Sequence, residues 1–465
     1  MAGIGFQLRK MGQERGLGGL ANAAIFGAFF SSGPWLITAG AVLMLNRWAA
    51  AHLTMPEQVG IQTILVYSFF LSTLIAAPVA MLATRATADL IFSNDRASIS
   101  SVFLAAMTVV TGLALVAGSV VFGLGVTLPL SHFTFALAII VLLAQIWVAG
   151  PFLTAVKRIA PIMAAYLLGI IVIAVAIYLM HRMGPVLLLA AISIGLAATL
   201  LFICLGVHDE FPAPAGWPRR QSEAPWRLAV LGLTGLANAV ALGIDKWILW
   251  FGPDSVRTIG SLRINPVNDQ ASFLGLLTIV PGLTLVLVTT ETRFHNVFKK
   301  LLDQCTGTAT YRTIERGRQE LALSIVRDLR LLVVSQAVIA AFCWVLAPEI
   351  QRLVGGDARG IFGFRFTAIG VVFHITALHA TVIMSYYDLI PRVLVVWTVF
   401  AAVSAAATVA SMNAGFASFG WGYMVGALAA AVVALTLLAQ ATVRLTYLLF
   451  VGNNPAAVRR SREFG

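Results

Sequence analysis

Residues 228–251 read LAVLGLTGLANAVALGIDKWILWF, and within this run only Asp245 and Lys246 carry charge. A bilayer core about 30 Å thick is crossed by roughly 20 helical residues, so the run is long enough to span it as a helix. A strand would cross in about ten residues and would alternate polar with apolar positions, which this run does not do. The stretch therefore predicts a membrane-spanning helix with a charged pair near one end.

The pattern repeats along the chain. Apolar runs bounded by polar residues, Pro or Gly occur at 19–45, 59–83, 99–124, 133–156, 159–180, 184–206, 228–251, 266–290, 329–347, 361–384, 392–411 and 418–443. The composition agrees, with 59% hydrophobic residues, 11% charged residues and a mean hydropathy of +0.91. A soluble domain carries roughly 25% charged residues, so a soluble enzyme is excluded. The expected fold is an all-α polytopic membrane protein of about twelve transmembrane helices. The opening MAGIGFQLRKMGQERG lacks the apolar core and cleavage site of a removable signal peptide, so the first helix is expected to stay as an anchor. Cys204, Cys305 and Cys343 lie in apolar runs or in a basic segment, and no disulfide is expected.

The net charge of +12 is explained by topology. With an inside amino terminus, 23 of the 31 Lys and Arg residues fall on inner segments and 6 on outer ones, leaving Lys246 and Arg365 within spans. Such a bias is the positive-inside rule, and it needs no nucleic acid. Both termini are then cytoplasmic, in an inner membrane.

Two connections organise the chain. The Pro-rich stretch 207–227 divides the runs into six and six, giving an amino-terminal lobe at 1–206, a cytoplasmic linker and a carboxy-terminal lobe at 228–465 that ends in a basic tail. The motif GLANA at 19–23 recurs at 235–239, at the start of runs one and seven, and is consistent with two pseudo-symmetric six-helix lobes around a central cavity. The longest polar stretch, 291–330, holds eight basic residues, with Ile314, Leu321, Ile325 and Leu329 at helical spacing. It predicts an amphipathic helix on the cytoplasmic surface, or else an extension of the ninth span. Arg316, Arg318 and Arg327 are its candidate docking residues, for a partner protein or for lipid headgroups.

Familiar catalytic patterns are missing. There is no GxxxxGK[ST] phosphate loop, and His374 and His379, five apart, fall on different helix faces and suit no metal pair. No catalytic set, metal site or cofactor is expected. What remains are polar groups at membrane depth, each costing about 2.5–3.5 kcal/mol to insert. Asp245 and Lys246 sit about 9 Å below the outer end of their run and point about 100° apart. With Asp269, Arg365 and His374 they either line a hydrated path or neutralise one another within a lobe. Ser32, Gly33 and Pro34 in the first run, and Pro78, Pro151 and Pro281 in others, are candidate hinges.

Several motifs carry a family resemblance. The opening MAGIGFQLRK and SSGPW at 31–35, with IDKW at 244–247, ETRF at 291–294, YYD at 386–388 and YLLF at 447–450, resemble the PelG family of inner-membrane exopolysaccharide exporters. Gln7 stands where that pattern has Glu, and Pro391 follows where it is more charged. The resemblance implies membership of the superfamily of multidrug, oligosaccharidyl-lipid and polysaccharide exporters. It implies a partly deacetylated, cationic, N-acetylgalactosamine-rich cargo (Pel) exported for biofilm matrix. The implied partners are the cytosolic Pel glycosyltransferase, the cyclic di-GMP receptor PelD, and PelE. Glu291 and Asp388, within the shared motifs, join the candidate substrate path. The competing readings are a lipid-linked oligosaccharide flippase or multidrug exporter of the same superfamily, a membrane-embedded glycosyl- or acyltransferase, and an assembly scaffold. Reporter fusions at residues 260 and 355 should read as exported, and those at 220 and 310 as cytosolic; a reversed signal at 310 would break the two-lobe topology.

Overall fold

The structure is a computed structural model that describes residue 48 and residues 51–124, 126, 128–156, 159–180, 185–212, 216 and 224–452. The first predicted run, 19–45, lies outside these residues, as do Ser32, Gly33, Pro34 and the first GLANA motif. Among the described residues, eleven helical segments are long and apolar enough to cross a membrane. Each overlaps one of the other eleven predicted runs.

The helices are α1 (Met55–Phe92), α2 (Ile99–Gly123), α3 (Leu130–Ala155), α4 (Ile159–Met180), α5 (Pro185–Glu210) and α6 (Pro225–Leu249). A short hairpin, β1 (Val256–Arg257) with β2 (Arg263–Ile264), separates these from α7 (Pro266–Leu277), α8 (Val280–Thr289), α9 (His295–Thr306) and α10 (Tyr311–Leu353). The last three are α11 (Ile361–Tyr386), α12 (Ile390–Ser411) and α13 (Trp421–Val443).

Apolar side chains face outward along these helices. Val109, Leu113, Val116 and Val120 line one exposed face of α2, which is what lipid contact requires. The described residues group into two compact units, one holding 48–269 with 412–415, the other 270–411 with 416–452. The boundary between these units falls inside α7, at Asp269 and Gln270, and α6 packs on α1 within the first unit. That packing is close: a Cβ on Gly235 would lie 2.6 Å from the Ala77 carbonyl oxygen, beside Pro78. Pro78 itself sits within an uninterrupted α1, and Pro151 within α3.

Pro281 does mark a break. Helix α7 stops at Leu277, and α8 restarts with Pro281 in its first turn, where a missing N–H costs nothing. The Thr278 carbonyl at the break accepts a hydrogen bond from Gln336 Nε2 of α10, at 2.7 Å. After α8 the chain widens into a π-helical turn, Thr290–Phe294, and runs straight on into α9.

Segment 291–330 is therefore not a helix laid along the membrane surface. Its first part continues α8 through the π turn into α9, and its second part is the start of α10, which is one helix of 43 residues. At 1.5 Å per residue that is about 64 Å, about twice the hydrocarbon thickness. The apolar stripe faces protein: Ile314, Gly317, Leu321 and Ile325 are buried, Leu301 and Gln304 lie against Gly317, and Lys300 pairs with Glu320 at 3.0 Å. The two helices form a hairpin that extends its spans.

Close approach of backbones recurs in both units. In the first, a Cβ on Gly195 of α5 would meet Ile173 at 2.2 Å and the Gly169 carbonyl at 2.8 Å. In the second, a Cβ on Gly422 of α13 would meet Thr408 at 1.9 Å and the Ser404 carbonyl at 3.0 Å. Lipid offers no hydrophobic drive between helices, so such contacts supply the packing energy. Gly195→Val should overpack α4 against α5 by about 1–3 kcal/mol or more and lower membrane abundance. Gly112→Val, with nothing within 4 Å of its added Cβ, should be neutral. Equal abundance of the two variants would contradict the packing.

Candidate functional site

The polar residues of α6 begin the site. Asp245 and Lys246 are both buried, and the flexible Lys stem folds back so that Nζ donates to Asp245 Oδ1 at 2.9 Å and Oδ2 at 3.0 Å. It also donates to the Leu242 carbonyl one turn earlier, at 3.2 Å. Neighbours on a helix point apart at Cβ, yet a four-carbon side chain has the reach to return. The pair is thus neutralised within its own unit.

Aromatic rings follow on the same helix. Trp247 lies over Gly243, where an added Cβ would fall 2.7 Å from the ring. Trp250, one turn on, stacks on Tyr67 of α1 at 4.5 Å, and Phe70 stands edge-on to Trp250 at 5.7 Å and to Trp247 at 6.2 Å. Phe69 continues the series to Trp147 of α3 at 5.9 Å. Asp269, at the start of α7, accepts from Trp250 Nε1 through Oδ2 at 2.9 Å, and its Oδ1 is buried. The β hairpin closes over α1: Tyr67 Oη donates to the Arg263 carbonyl at 2.9 Å, and Thr63 to Thr258 at 2.9 Å.

The remaining candidates fall in the second unit. Arg365 of α11 donates from Nε to the Trp344 carbonyl at 3.0 Å and lies over that indole at 5.0 Å. His374 Nδ1 is 2.7 Å from Tyr423 Oη and is packed edge-on among Trp397, Phe400 and Tyr423. His379 is buried, with neither ring nitrogen hydrogen-bonded among the described residues. Asp388 has φ 58° in the turn that ends α11, a conformation that Asp tolerates better than most residues. Glu291 sits half-buried in the π turn, within electrostatic reach of Tyr386. In the same turn Arg293 bonds the buried Asp328 of α10.

Of the docking candidates, Arg316 and Arg327 are exposed, but Arg318 is committed to its own unit. Its Nε donates to both Glu315 carboxylate oxygens at 3.0 Å, and Nη1 reaches the Thr442 carbonyl at 3.2 Å. Sequence reading passed over Gln336, Asp328 and Trp250. The first two share a signal, since each is a polar residue on the buried stripe of a long amphipathic helix.

Comparison with known proteins adds the family. A sequence model of PelG, described as "Putative exopolysaccharide Exporter (EPS-E)", matches residues 1–450. The chain belongs to the PelG family. No curated protein matches it. Among solved structures it is similar to a MATE transporter in the bent conformation, at 15% identity and TM-score 0.65, covering 96% of this chain and 99% of the other. It is also similar to an inward-facing multidrug resistance MATE transporter of the MOP superfamily, at 14% identity and TM-score 0.64, over 95% and 99%. A third match is a MOP superfamily transporter from Pyrococcus furiosus, at 15% identity and TM-score 0.62, over 91% and 96%. This PelG-family chain therefore has a MATE-type transporter fold and is a multi-pass membrane protein.

The pair Asp245–Lys246 makes a specific forecast. Asp245→Asn strands the ammonium and Lys246→Met strands the carboxylate, each at about 3–5 kcal/mol, so both should lower membrane abundance. The double variant Asp245→Asn with Lys246→Met should restore it. Abundance that stays low in the double variant would show that the two charges do not answer each other.

Proposed function

We propose that this PelG-family chain carries a Pel-type exopolysaccharide, rich in N-acetylgalactosamine and partly deacetylated, across the bacterial inner membrane for biofilm matrix. Both termini are cytoplasmic in this reading, in keeping with the distribution of basic residues. The chain acts as a transporter and not as an enzyme, in line with its family and fold. Its proposed partners are the cytosolic Pel glycosyltransferase, PelD and PelE.

The observation that carries the sugar reading is the aromatic series of the first unit. Pyranose rings present flat C–H faces that pack on aromatic faces, and Trp and Tyr combine such a face with a polar edge. Tyr67, Phe69, Phe70, Trp147 and Trp247 are half-buried and, together with buried Trp250, form a chain of ring contacts of 4.5–6.2 Å. Repeated shallow contacts suit a polymer that must keep moving better than one deep pocket would. Asp269, whose Oδ2 accepts from Trp250 Nε1 at 2.9 Å, supplies the polar element of the series. Asp245 is not available for that task, because Lys246 already holds both of its oxygens.

One stacking contact is worth about 0.5–1.5 kcal/mol, so Trp247→Ala should reduce secreted polymer roughly two- to tenfold at unchanged membrane abundance. Asp269→Asn should reduce it as well. The measurement is hexosamine polymer in the medium of an exporter-deleted host carrying each variant. Undiminished polymer from the deleted host, or efflux of small cationic drugs in place of polymer, would sink the proposal.

A further inference from the structure

The half of α10 that extends beyond its apolar span is covered on one side only. Ile314, Gly317, Leu321, Ile325 and Asp328 are buried on that side. At 100° per residue, Arg312, Arg316, Gln319, Leu323, Val326, Arg327 and Arg330 fall within about 100° of arc on the opposite side. All seven are exposed, Leu323 at 70% and Val326 at 62%. None of the four arginines forms an ion pair among the described residues, although Lys300, Arg293 and Arg318 on the same hairpin all do. The face is thus cationic along its length, with two large apolar side chains at its middle.

Distance decides between lipid and protein. The apolar run begins at Leu329, so Arg327 and Arg330 stand at headgroup level. Arg316 lies about 20 Å further along the axis and Arg312 about 25 Å. The headgroup layer is about 5–7 Å deep on each side, and screening limits exposed charge to about 8 Å at physiological salt. A tilt of about 40°, the upper end of what spans adopt, still leaves Arg312 about 19 Å out. Lipid can satisfy the base of the stripe and not its tip.

We propose that this face of α10 is the docking surface for a soluble cytosolic protein that presents an acidic patch with an apolar centre. Arginines supply the charge complementarity and orientation, and Leu323 with Val326 supplies the desolvated contact that a stable interface needs at its core. The inference rests on the cytoplasmic placement of the hairpin proposed above, but not on the identity of the cargo.

The test uses full-length protein in nanodiscs of zwitterionic lipid, with the cytosolic Pel glycosyltransferase as the binding probe. Wild-type protein should bind the probe with an affinity that falls as salt rises. Arg312→Glu with Arg316→Glu should weaken binding at least tenfold, Leu323→Ser should weaken it too, and Arg352→Glu, at the far end of α10, should leave it unchanged. Equal binding by wild type and the double charge reversal, or no binding by wild type, overturns the proposal. So does quenching of a fluorophore at position 319 by headgroup-labelled lipid, which would assign the face to the membrane. Because binding is read without transport, failure here is distinguishable from failure of the export reading.

Discussion

Hydrocarbon cannot hydrogen-bond, and every other feature of this chain follows from that. A backbone crossing the bilayer must pair its own N–H and C=O groups, which leaves helices as the only segments the eleven described spans could be. The same rule governs side chains. Lys246 is held by Asp245 and the Leu242 carbonyl, Arg365 by the Trp344 carbonyl, His374 by Tyr423, and the interrupted helix at Thr278 by Gln336. In each case a polar group at depth finds its partner inside its own unit. Charge in such a protein is therefore a reporter of internal design before it is a reporter of cargo.

Packing between helices follows from the same solvent. Apolar surface gains nothing by leaving lipid for another helix, so helices associate where backbones can come close. Gly195 against Gly169, and Gly422 against Ser404 and Thr408, are such places, one in each unit. Each joins the helix pair that closes its half of the chain. Gly235 serves a different pairing, seating α6 on the Ala77 carbonyl next to Pro78.

Most of the fold was legible in the sequence because the spans obey one simple length rule. The site was less legible. The pattern located Asp245 and Lys246 at depth but could not choose between a hydrated path and mutual neutralisation, since that depends on a lysine rotamer. Arg318 looked equivalent to Arg316, and only the neighbouring Glu315 and the Thr442 carbonyl tell them apart. Pro78 and Pro281 looked like equal hinges, yet one sits in an unbroken helix and the other restarts a broken one. The stretch 291–330 left two readings open, a surface helix or an extension of the ninth span, and its second part is the extension. What its apolar stripe could not reveal was that α9 would cover it.

Helix α10 has a mechanical meaning as well. From Tyr311 to Leu353 it runs without a break, its single proline, Pro348, lying near the carboxy-terminal end. A rod of this kind pivots as a lever: a rotation of about 10° within the bilayer sweeps a tip about 25 Å beyond it through about 4 Å. Motion of a span is thus magnified where Arg312 stands, and a load placed on the tip is returned to the membrane as torque.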